Sequence, residues 1–310
     1  MGFFSSTNHN QKDIDKVINT KLSTNGKALY LAQDQGLEHG VYEFDNSSIN
    51  PEHVFTIAEK GELDGFICQK GLAEKYASSY KTNIILKVNG KTAIRKHDEP
   101  YSPITCSVKR AVELGAKAIG FTNFVGSAHE AKIFDDFRKI QEEAHDYGLP
   151  VTSWMYPRGE AITSDTDAET LQYSARVGLE LGADMLKMKY NGNPEDMKKQ
   201  IACGGRAKML MAGGNKTDST DEFLKQVEEV NSCGAFGFAV GRNIWQHEQP
   251  IEVTKAIRDV QIRGLSVQDA MKRLKSGLEI EPPVPSSPQP NENINSEEEK
   301  VNYPPIPPQN

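Results

Sequence analysis

The sequence of 310 residues has few features of secreted or membrane-spanning proteins. Its four cysteines form no C-x-x-C pair, so neither a disulfide framework nor a zinc site is expected, and the thiols are interpreted as reduced. No apolar run approaches the ~20 residues that a membrane span needs, and Phe3-Phe4 is too short for a secretory hydrophobic region. We therefore expect a cytoplasmic protein with no membrane partner.

Positive charge is not concentrated in any block, because 36 Lys and Arg are spread among 43 Asp and Glu for a net charge of -7. Binding to nucleic acid, which requires clustered cations, is not expected.

Residues 279–310 contain six Glu, one Lys and nine of the 16 prolines, so most of the net charge lies there. Such a composition cannot support a core. We expect a disordered Pro/Glu/Asn-rich tail over 279–310 and one domain over 1–278, beginning with a short arm at about 1–24.

Metal-ligand spacing is also missing. The seven histidines are scattered along the chain, without a pattern such as H-x-x-x-H at the end of a strand. The sequence therefore predicts no metal site and no cofactor.

Eight short apolar runs rich in β-formers alternate with amphipathic segments of helical length. Strict alternation of this kind indicates parallel strands joined by helices, and eight units suggest a closed (β/α)8 TIM barrel of a single domain. A doubly wound open sheet is the competing architecture, although no G-x-G-x-x-G follows the first strand. The expected strands are 28–33, 65–69, 84–88, 118–122, 151–156, 185–190, 208–211 and 236–240.

Polar residues follow nearly every expected strand, which predicts one shared site at the C-terminal face of the barrel. In the sixth strand, alternation places Lys187 and Lys189 on the inner face with Met185. Burial and a second positive charge lower the pKa of a lysine and favour a nucleophilic amine. Two alternatives stay open at this point: both lysines reach solvent at the rim, or Lys87 near the end of strand three has this role.

Two further strand ends carry candidate groups. Trp154 and Tyr156 share the inner face of strand five, where the tyrosine could transfer protons and the tryptophan could form an apolar wall; both could equally be core aromatics. Asp34, after strand one, could orient or deprotonate a substrate hydroxyl, or could instead cap a helix or turn.

Glycines follow strands seven and eight, as Gly213-Gly214 and as Gly241 before Arg242. Loops at these two positions commonly bind phosphate in barrels, since bare backbone amides converge on the oxyanion and an arginine adds charge. This pattern predicts a phosphorylated ligand.

Five motifs, in order from about Gly26 to Gln246, resemble the archaeal-type class I fructose-1,6-bisphosphate aldolases. These motifs are 31–40 (LAQDQGLEHG), 87–92 (KVNGKT), 154–159 (WMYPRG), 182–190 (GADMLKMKY) and 240–246 (VGRNIWQ). The resemblance implies a metal-independent lyase of glycolysis and gluconeogenesis. Such an enzyme splits fructose 1,6-bisphosphate into dihydroxyacetone phosphate and glyceraldehyde 3-phosphate through a lysine Schiff base.

The resemblance also implies roles for particular residues. Lys187, rather than Lys189 or Lys87, corresponds to the Schiff-base lysine, Tyr156 to the proton donor and Asp34 to the strand-one aspartate. We expect Lys189 to lower the pKa of Lys187 and to help balance phosphate charge. The implied substrate contacts are Gln35, His39, Trp154, Arg158, Lys189, Gly213, Gly214, Gly241 and Arg242.

The chain departs from the family pattern at Gln35, where many relatives have His, and at Ala212, where a Ser often precedes Gly213. Relatives form large homo-oligomers, so a homo-oligomer is implied by resemblance. Two other functions stay open: a related Schiff-base lyase or transferase acting on another phosphorylated keto or deoxy sugar, and a non-catalytic phosphate-binding barrel.

Overall fold

A computed structural model describes residues 11–95 and 97–276; the tail expected over 279–310 lies outside the described residues. Eight parallel strands follow one another around a closed barrel, and the eighth pairs with the first. This closure confirms the TIM barrel and excludes an open doubly wound sheet, in which the edge strands stay unpaired. The strands are β1 (Ala28–Ala32), β2 (Gly65–Gln69), β3 (Ile84–Lys87), β4 (Ala118–Asn123), β5 (Val151–Met155), β6 (Met185–Met188), β7 (Lys208–Ala212) and β8 (Gly237–Val240).

The helices begin where the sequence places capping residues. Asn50, Ser107, Asp167, Asn193 and Ser219 each accept a hydrogen bond from a backbone amide of the following first turn. No helix of the described residues is long and apolar enough to cross a membrane. The helices are α1 (Gln11–Lys21), α2 (Gln35–Glu38), α3 (Pro51–Lys60), α4 (Lys70–Tyr76), α5 (Val108–Glu113), α6 (Glu130–Asp146), α7 (Ala168–Glu180), α8 (Pro194–Gly204), α9 (Thr220–Ser232), α10 (Arg242–Trp245), α11 (Pro250–Gln261) and α12 (Val267–Ser276).

Alternation along each strand separates two hydrophobic clusters. In β6, Leu186 and Met188 belong to the outer cluster between sheet and helices, whereas Met185 belongs to the inner cluster that fills the barrel. The inward positions of β6 therefore include Lys187, and those of β5 include Trp154.

The N-terminal arm, which the sequence places at about 1–24, contains a helix that the sequence did not indicate. Residues 11–21 form α1, and the side chains of Ile14, Ile18 and the following Leu22 are buried in the inner cluster. The hydroxyl of Tyr30 on β1 donates to the backbone oxygen of Leu22 at 2.8 Å. Helix α1 thus covers the end of the barrel at which the strands begin.

Candidate active site

A cavity of about 420 Å³ opens at the carboxyl ends of the strands. Its lining contains all of the site residues that the sequence indicated, which lie on or after five different strands. These residues are Asp34, Gln35, His39, Trp154, Tyr156, Arg158, Lys187, Lys189, Gly213, Gly214, Gly241 and Arg242. The sequence positions that were expected to form one site are therefore adjacent in space.

Lys187 lies at the base of this cavity. Its side chain is 5% exposed, and its Nζ lies 4.8 Å from the centroid of the Trp154 ring. No carboxylate of residues 11–95 or 97–276 forms a salt bridge with it within 4.0 Å. Burial lowers the pKa of Lys187, and the charge of Arg242 lowers it further, while Asp34 and Glu38 oppose both effects. The alternative of a lysine at the rim in solvent does not hold for Lys187.

Lys87, the competing lysine, is fully buried and does not line the cavity. Its Nζ lies 2.6 Å from Oε1 of Glu38 and 3.7 Å from Oδ2 of Asp34. These two contacts hold the Lys87 Nζ on the carboxylates and away from the cavity, so it is not positioned to attack the carbonyl of a ligand there. The geometry therefore favours Lys187 over Lys87 as the nucleophile.

The indole of Trp154 is 1% exposed and has space because Gly120 faces it from β4. A methyl group at residue 120 would lie 2.6 Å from the Trp154 ring. The ammonium of Lys87 lies 5.1 Å from the ring centroid, within the range of cation–π attraction, as does the Nζ of Lys187. Trp154 is thus both a core aromatic and a wall of the cavity.

Asp34 occupies the N-cap position of α2, but its side chain makes no capping hydrogen bond. Its carboxylate instead faces the lysines. Burial alone would raise the pKa of Asp34, yet the charges of Lys187 and Lys87, with a hydrogen bond from its own backbone amide, hold that pKa below the ordinary value. The group is therefore ionised, and the interpretation as a helix cap does not hold.

Tyr156 follows β5 and lines the same cavity. Burial raises the pKa of its phenol, the negative charge of Asp34 raises it further, and Arg158 opposes this effect. The guanidinium of Arg158 lies 5.2 Å from the ring centroid. At neutral pH the phenol is protonated and can donate a proton into the cavity.

Lys189 lines the same cavity and is paired with a carboxylate. Arg242 is a cation whose charge lowers the pKa of Lys187. The ammonium of Lys189 forms a close ion pair with Asp165, from the loop between β5 and α7. The Nε atom of Arg158 lies 3.7 Å from the same carboxylate, so two basic groups meet at one side of the cavity.

The glycines after β7 and β8 allow a close approach of backbone segments. A Cβ atom on Gly213 would lie 2.9 Å from the Cα of Val240, and one on Gly241 would lie 2.4 Å from Nε2 of Gln35. Arg242 donates from Nη2 to the backbone oxygen of Gly214 at 2.9 Å, which joins the two loops. Gly241 precedes α10, whose first amides have no partner within the helix. The arrangement suits an oxyanion.

A family model described as DeoC/LacD family aldolase matches residues 28–247, the whole of the barrel from β1 to beyond β8. The chain belongs to this aldolase family.

Similar proteins within the aldolase family include a fructose-bisphosphate aldolase class 1 of Thermoproteus tenax. It is 41% identical over 248 residues, which are 79% of this chain and 94% of the relative. A fructose-bisphosphate aldolase/6-deoxy-5-ketofructose 1-phosphate synthase of Methanocaldococcus jannaschii is 36% identical over 267 residues, with 80% and 85% of the two chains covered.

Solved structures of this aldolase family superpose on the barrel. One is an archaeal fructose-1,6-bisphosphate aldolase in which the catalytic lysine is covalently bound to the carbinolamine intermediate of its substrate. It has a TM-score of 0.77 and 38% sequence identity, and the match covers 80% of this chain and 98% of that one.

The aldolase site also contains acidic residues that the sequence did not indicate. Glu38 and Glu43 line the cavity, and Asp165 contacts its basic groups from outside. Glu38 ends the four-residue α2, Glu43 ends a three-residue 3-10 helix, and Asp165 lies in a loop. None of these segments is long enough for hydrophobic periodicity to fix the direction of a side chain. Among the residues that the structure describes, no group of three His, Cys, Asp or Glu side chains is arranged to hold a metal ion.

Proposed function

We propose that this protein is a class I fructose-bisphosphate aldolase, which cleaves fructose 1,6-bisphosphate reversibly to dihydroxyacetone phosphate and glyceraldehyde 3-phosphate. The observation that carries the proposal is Lys187, a buried lysine of lowered pKa that faces a cavity with basic groups on two sides. Arg158 and Lys189 stand on one side, and Arg242 with the glycine loops on the other. Two phosphates on one sugar match this distribution of charge.

The reaction begins with the neutral amine of Lys187 attacking the C2 ketone. The resulting carbinolamine loses water and becomes an iminium, which withdraws electrons from the carbon chain. The C4 hydroxyl then loses its proton, the C3–C4 bond breaks, and its electron pair moves into the iminium to give an enamine. Glyceraldehyde 3-phosphate leaves. Protonation of C3 and hydrolysis of the iminium release dihydroxyacetone phosphate and restore the amine.

Asp34 and Tyr156 have separate roles in this scheme. The ionised Asp34 carboxylate orients substrate hydroxyls and the carbinolamine, since its lowered pKa keeps it negative. The protonated phenol of Tyr156 donates a proton and recovers it during each turnover. We propose that Trp154, Gln35 and His39 contact the substrate from the remaining walls.

The test of this proposal is covalent trapping. Borohydride added with dihydroxyacetone phosphate should reduce the iminium to an irreversible adduct, which peptide mass spectrometry locates on Lys187. The Lys187→Ala protein should form no adduct there and lose essentially all cleavage activity. Cleavage should also continue in EDTA, because no step requires a metal.

An exposed lysine provides the matched control. Lys139 on α6 pairs with Asp135 on the outer surface, so Lys139→Ala should retain both adduct and activity. Normal turnover by the Lys187→Ala protein would overturn the proposal, as would an adduct on Lys87.

A second candidate function is a transfer reaction in which another aldehyde is the acceptor. It is considered because the M. jannaschii relative is also named a 6-deoxy-5-ketofructose 1-phosphate synthase. Such a reaction would use the same lysine and phosphate loops with a different aldehyde partner. A panel comparing cleavage of fructose 1,6-bisphosphate with transfer between phosphorylated keto and deoxy sugars separates the two. The third possibility, a non-catalytic barrel, is disfavoured because both Lys187 and Tyr156 are present.

The setting of the enzyme is also part of the proposal. We place it in the cytoplasm, where phosphorylated sugars and reduced thiols such as Cys68 are expected. We also propose one catalytic domain over 1–278, and a homo-oligomeric assembly by analogy with the resembling family. Mass measurement in solution tests the assembly.

A further inference from the structure

Two carboxylates form ion pairs with the basic groups of the cavity, although neither has a role in the proposed reaction. Asp165 contacts both Lys189 and Arg158 at one side. On the other side, Oε1 of Glu43 lies 2.8 Å from Nη1 of Arg242.

Glu43 has a second basic neighbour. Nδ1 of His39 lies 3.3 Å from its Oε2 atom, so this carboxylate also lies between two basic side chains. The two clusters therefore have the same composition: one carboxylate between two residues that can donate hydrogen bonds to an oxyanion. Both lie at the mouth of the same cavity.

We propose that Asp165 and Glu43 are phosphate surrogates: each carboxylate holds one pair of basic residues in the free protein and is displaced when one phosphate of the substrate binds there. This inference rests on the proposed function, from which the doubly phosphorylated substrate is taken. Carboxylate and phosphate compete because both accept hydrogen bonds from the same ammonium and guanidinium donors.

The exposure of these pairs makes them exchangeable. The side chains of Asp165 and Glu43 are 33% and 27% exposed, and ion pairs in contact with water contribute little free energy. The Lys87–Glu38 pair in the same region contrasts with them, since Lys87 is fully buried and its ammonium cannot be rehydrated. A phosphate can therefore displace Asp165 or Glu43 without exposing an unpaired buried charge.

The loop carrying Asp165 is fixed at its beginning. Gly159 packs so closely on Gly126 that a Cβ atom would lie 2.4 Å from the Gly126 oxygen. The backbone amide of Glu160 donates to Oε2 of Glu99 at 3.2 Å. The amide of Ile162 donates to the Gly159 oxygen at 3.1 Å, so displacement of Asp165 would release only the rest of this loop, residues 163–166.

Glu43 is held differently. Its backbone oxygen accepts from Nε2 of Gln246 at 2.5 Å, and the ring of the next residue, Phe44, meets that of Trp245 edge-on at 5.2 Å. The backbone here is anchored on both sides of the carboxylate. Only the side chain of Glu43 needs to rotate when phosphate arrives.

The test uses Asp165→Asn and Glu43→Gln, which keep the shape of each side chain and remove its charge. Full-length proteins are titrated with inorganic phosphate by calorimetry, and cleavage kinetics are measured with fructose 1,6-bisphosphate. Each variant should bind phosphate about three- to tenfold more tightly, because the competing charge is gone. KM should fall by a similar factor while kcat stays within about twofold.

Matched controls break ion pairs of the same kind between residues that do not line the cavity. Asp221→Asn removes a partner of Lys225 on α9, and Glu142→Gln removes a partner of Arg138 on α6. Both should leave phosphate affinity, KM and kcat unchanged, and melting temperatures verify that all four variants fold.

Unchanged or weaker phosphate binding in Asp165→Asn and Glu43→Gln would overturn the inference, since the carboxylates would then orient the basic groups for substrate. The phosphate titration requires no turnover. It therefore tests the surrogates even if the protein does not cleave fructose 1,6-bisphosphate, an outcome that would overturn the proposed function separately.

Discussion

At the scale of single residues, Lys187 illustrates how position controls reactivity. It differs from Lys87 in its partners rather than in its burial, since both are inside the barrel. Lys87 meets Glu38 at 2.6 Å, whereas Lys187 meets an indole face and has no carboxylate within 4.0 Å among the described residues. The chemistry of two inward lysines is thus decided by residues distant from them in the chain.

The opposing charges around Lys187 predict a pH dependence with a definite sign. The amine attacks only when unprotonated, so the rate of iminium formation falls at low pH, and the lowered pKa of Lys187 moves this acid limb below that of an ordinary lysine. Arg242 disfavours the ammonium, so Arg242→Gln should move the limb to higher pH. Asp34 favours the ammonium, so Asp34→Asn should move it to lower pH.

Trapping with cyanoborohydride and unphosphorylated dihydroxyacetone at a series of pH values measures this limb without involving phosphate binding. Arg206→Gln is a suitable control, because Arg206 is exposed just before the first residue of β7, at the opposite end of the barrel. Shifts of equal sign in the Arg242 and Asp34 variants would contradict the electrostatic explanation.

Replacing Tyr156 distinguishes the proton-transfer step from the covalent attachment of substrate to Lys187. Tyr156→Phe removes the phenolic proton but leaves the amine, so kcat should fall about 10²- to 10⁴-fold while the borohydride adduct on Lys187 still forms. Tyr147→Phe, at the exposed end of α6, should behave like the unmodified protein. A variant Tyr156→Phe with full turnover would assign the proton transfer to another group.

At the scale of elements, the strands and most helices could be predicted because their signals are local. Period-2 alternation, together with Gly and N-cap residues at the boundaries, determines which face of β6 is buried. The contacts of the acidic residues have no such signal: the Glu43–Arg242 pair joins residues 199 positions apart. Sequence patterns therefore indicated which residues share the cavity, but not which of them pair within it.

The sequence also did not indicate helix α1, because its stability depends on a contact with a distant part of the chain. Its eleven residues are mostly polar, and its apolar stripe consists of Ile14, Val17 and Ile18. A stripe this short forms a stable helix only where a tertiary surface receives it, and here that surface is the open base of the barrel.

The packing of α1 against the base of the barrel predicts an effect on stability that is independent of catalysis. Ile18→Ala should lower the free energy of unfolding by about 2–5 kcal/mol, because a side chain that is 1% exposed leaves a cavity in the inner cluster. Urea unfolding measures the change. The neighbouring exposed Asn19→Ala should stay within about 0.5 kcal/mol, and kcat should be unchanged in both. Equal stability of the two variants would show that α1 does not seal the barrel.

At the scale of the whole molecule, residues 11–95 and 97–276 contain the closed barrel and all of the site residues that the sequence indicated. The acidic, proline-rich residues 279–310 carry most of the net charge but contribute no group to the proposed chemistry. A chain that ends at Leu278 should therefore keep kcat/KM within about twofold, with a similar melting temperature.

Mass measurement of the full and shortened chains in parallel shows whether the tail takes part in assembly. We expect the same homo-oligomer from both chains. If the shortened chain dissociates to monomers and loses activity, the tail is required for assembly.

The two ends of the barrel also differ in what can be attached to them. Gln11 at the start of α1 donates to Asp184, immediately before β6, so the chain enters the barrel on the face opposite the cavity. A linker placed ahead of α1 could tether the enzyme to a solid support with the mouth turned towards the flowing reactant. Immobilisation through the N-terminus should thus preserve access of sugar phosphates better than random coupling through lysines, because Lys189 lines the cavity and is 30% exposed.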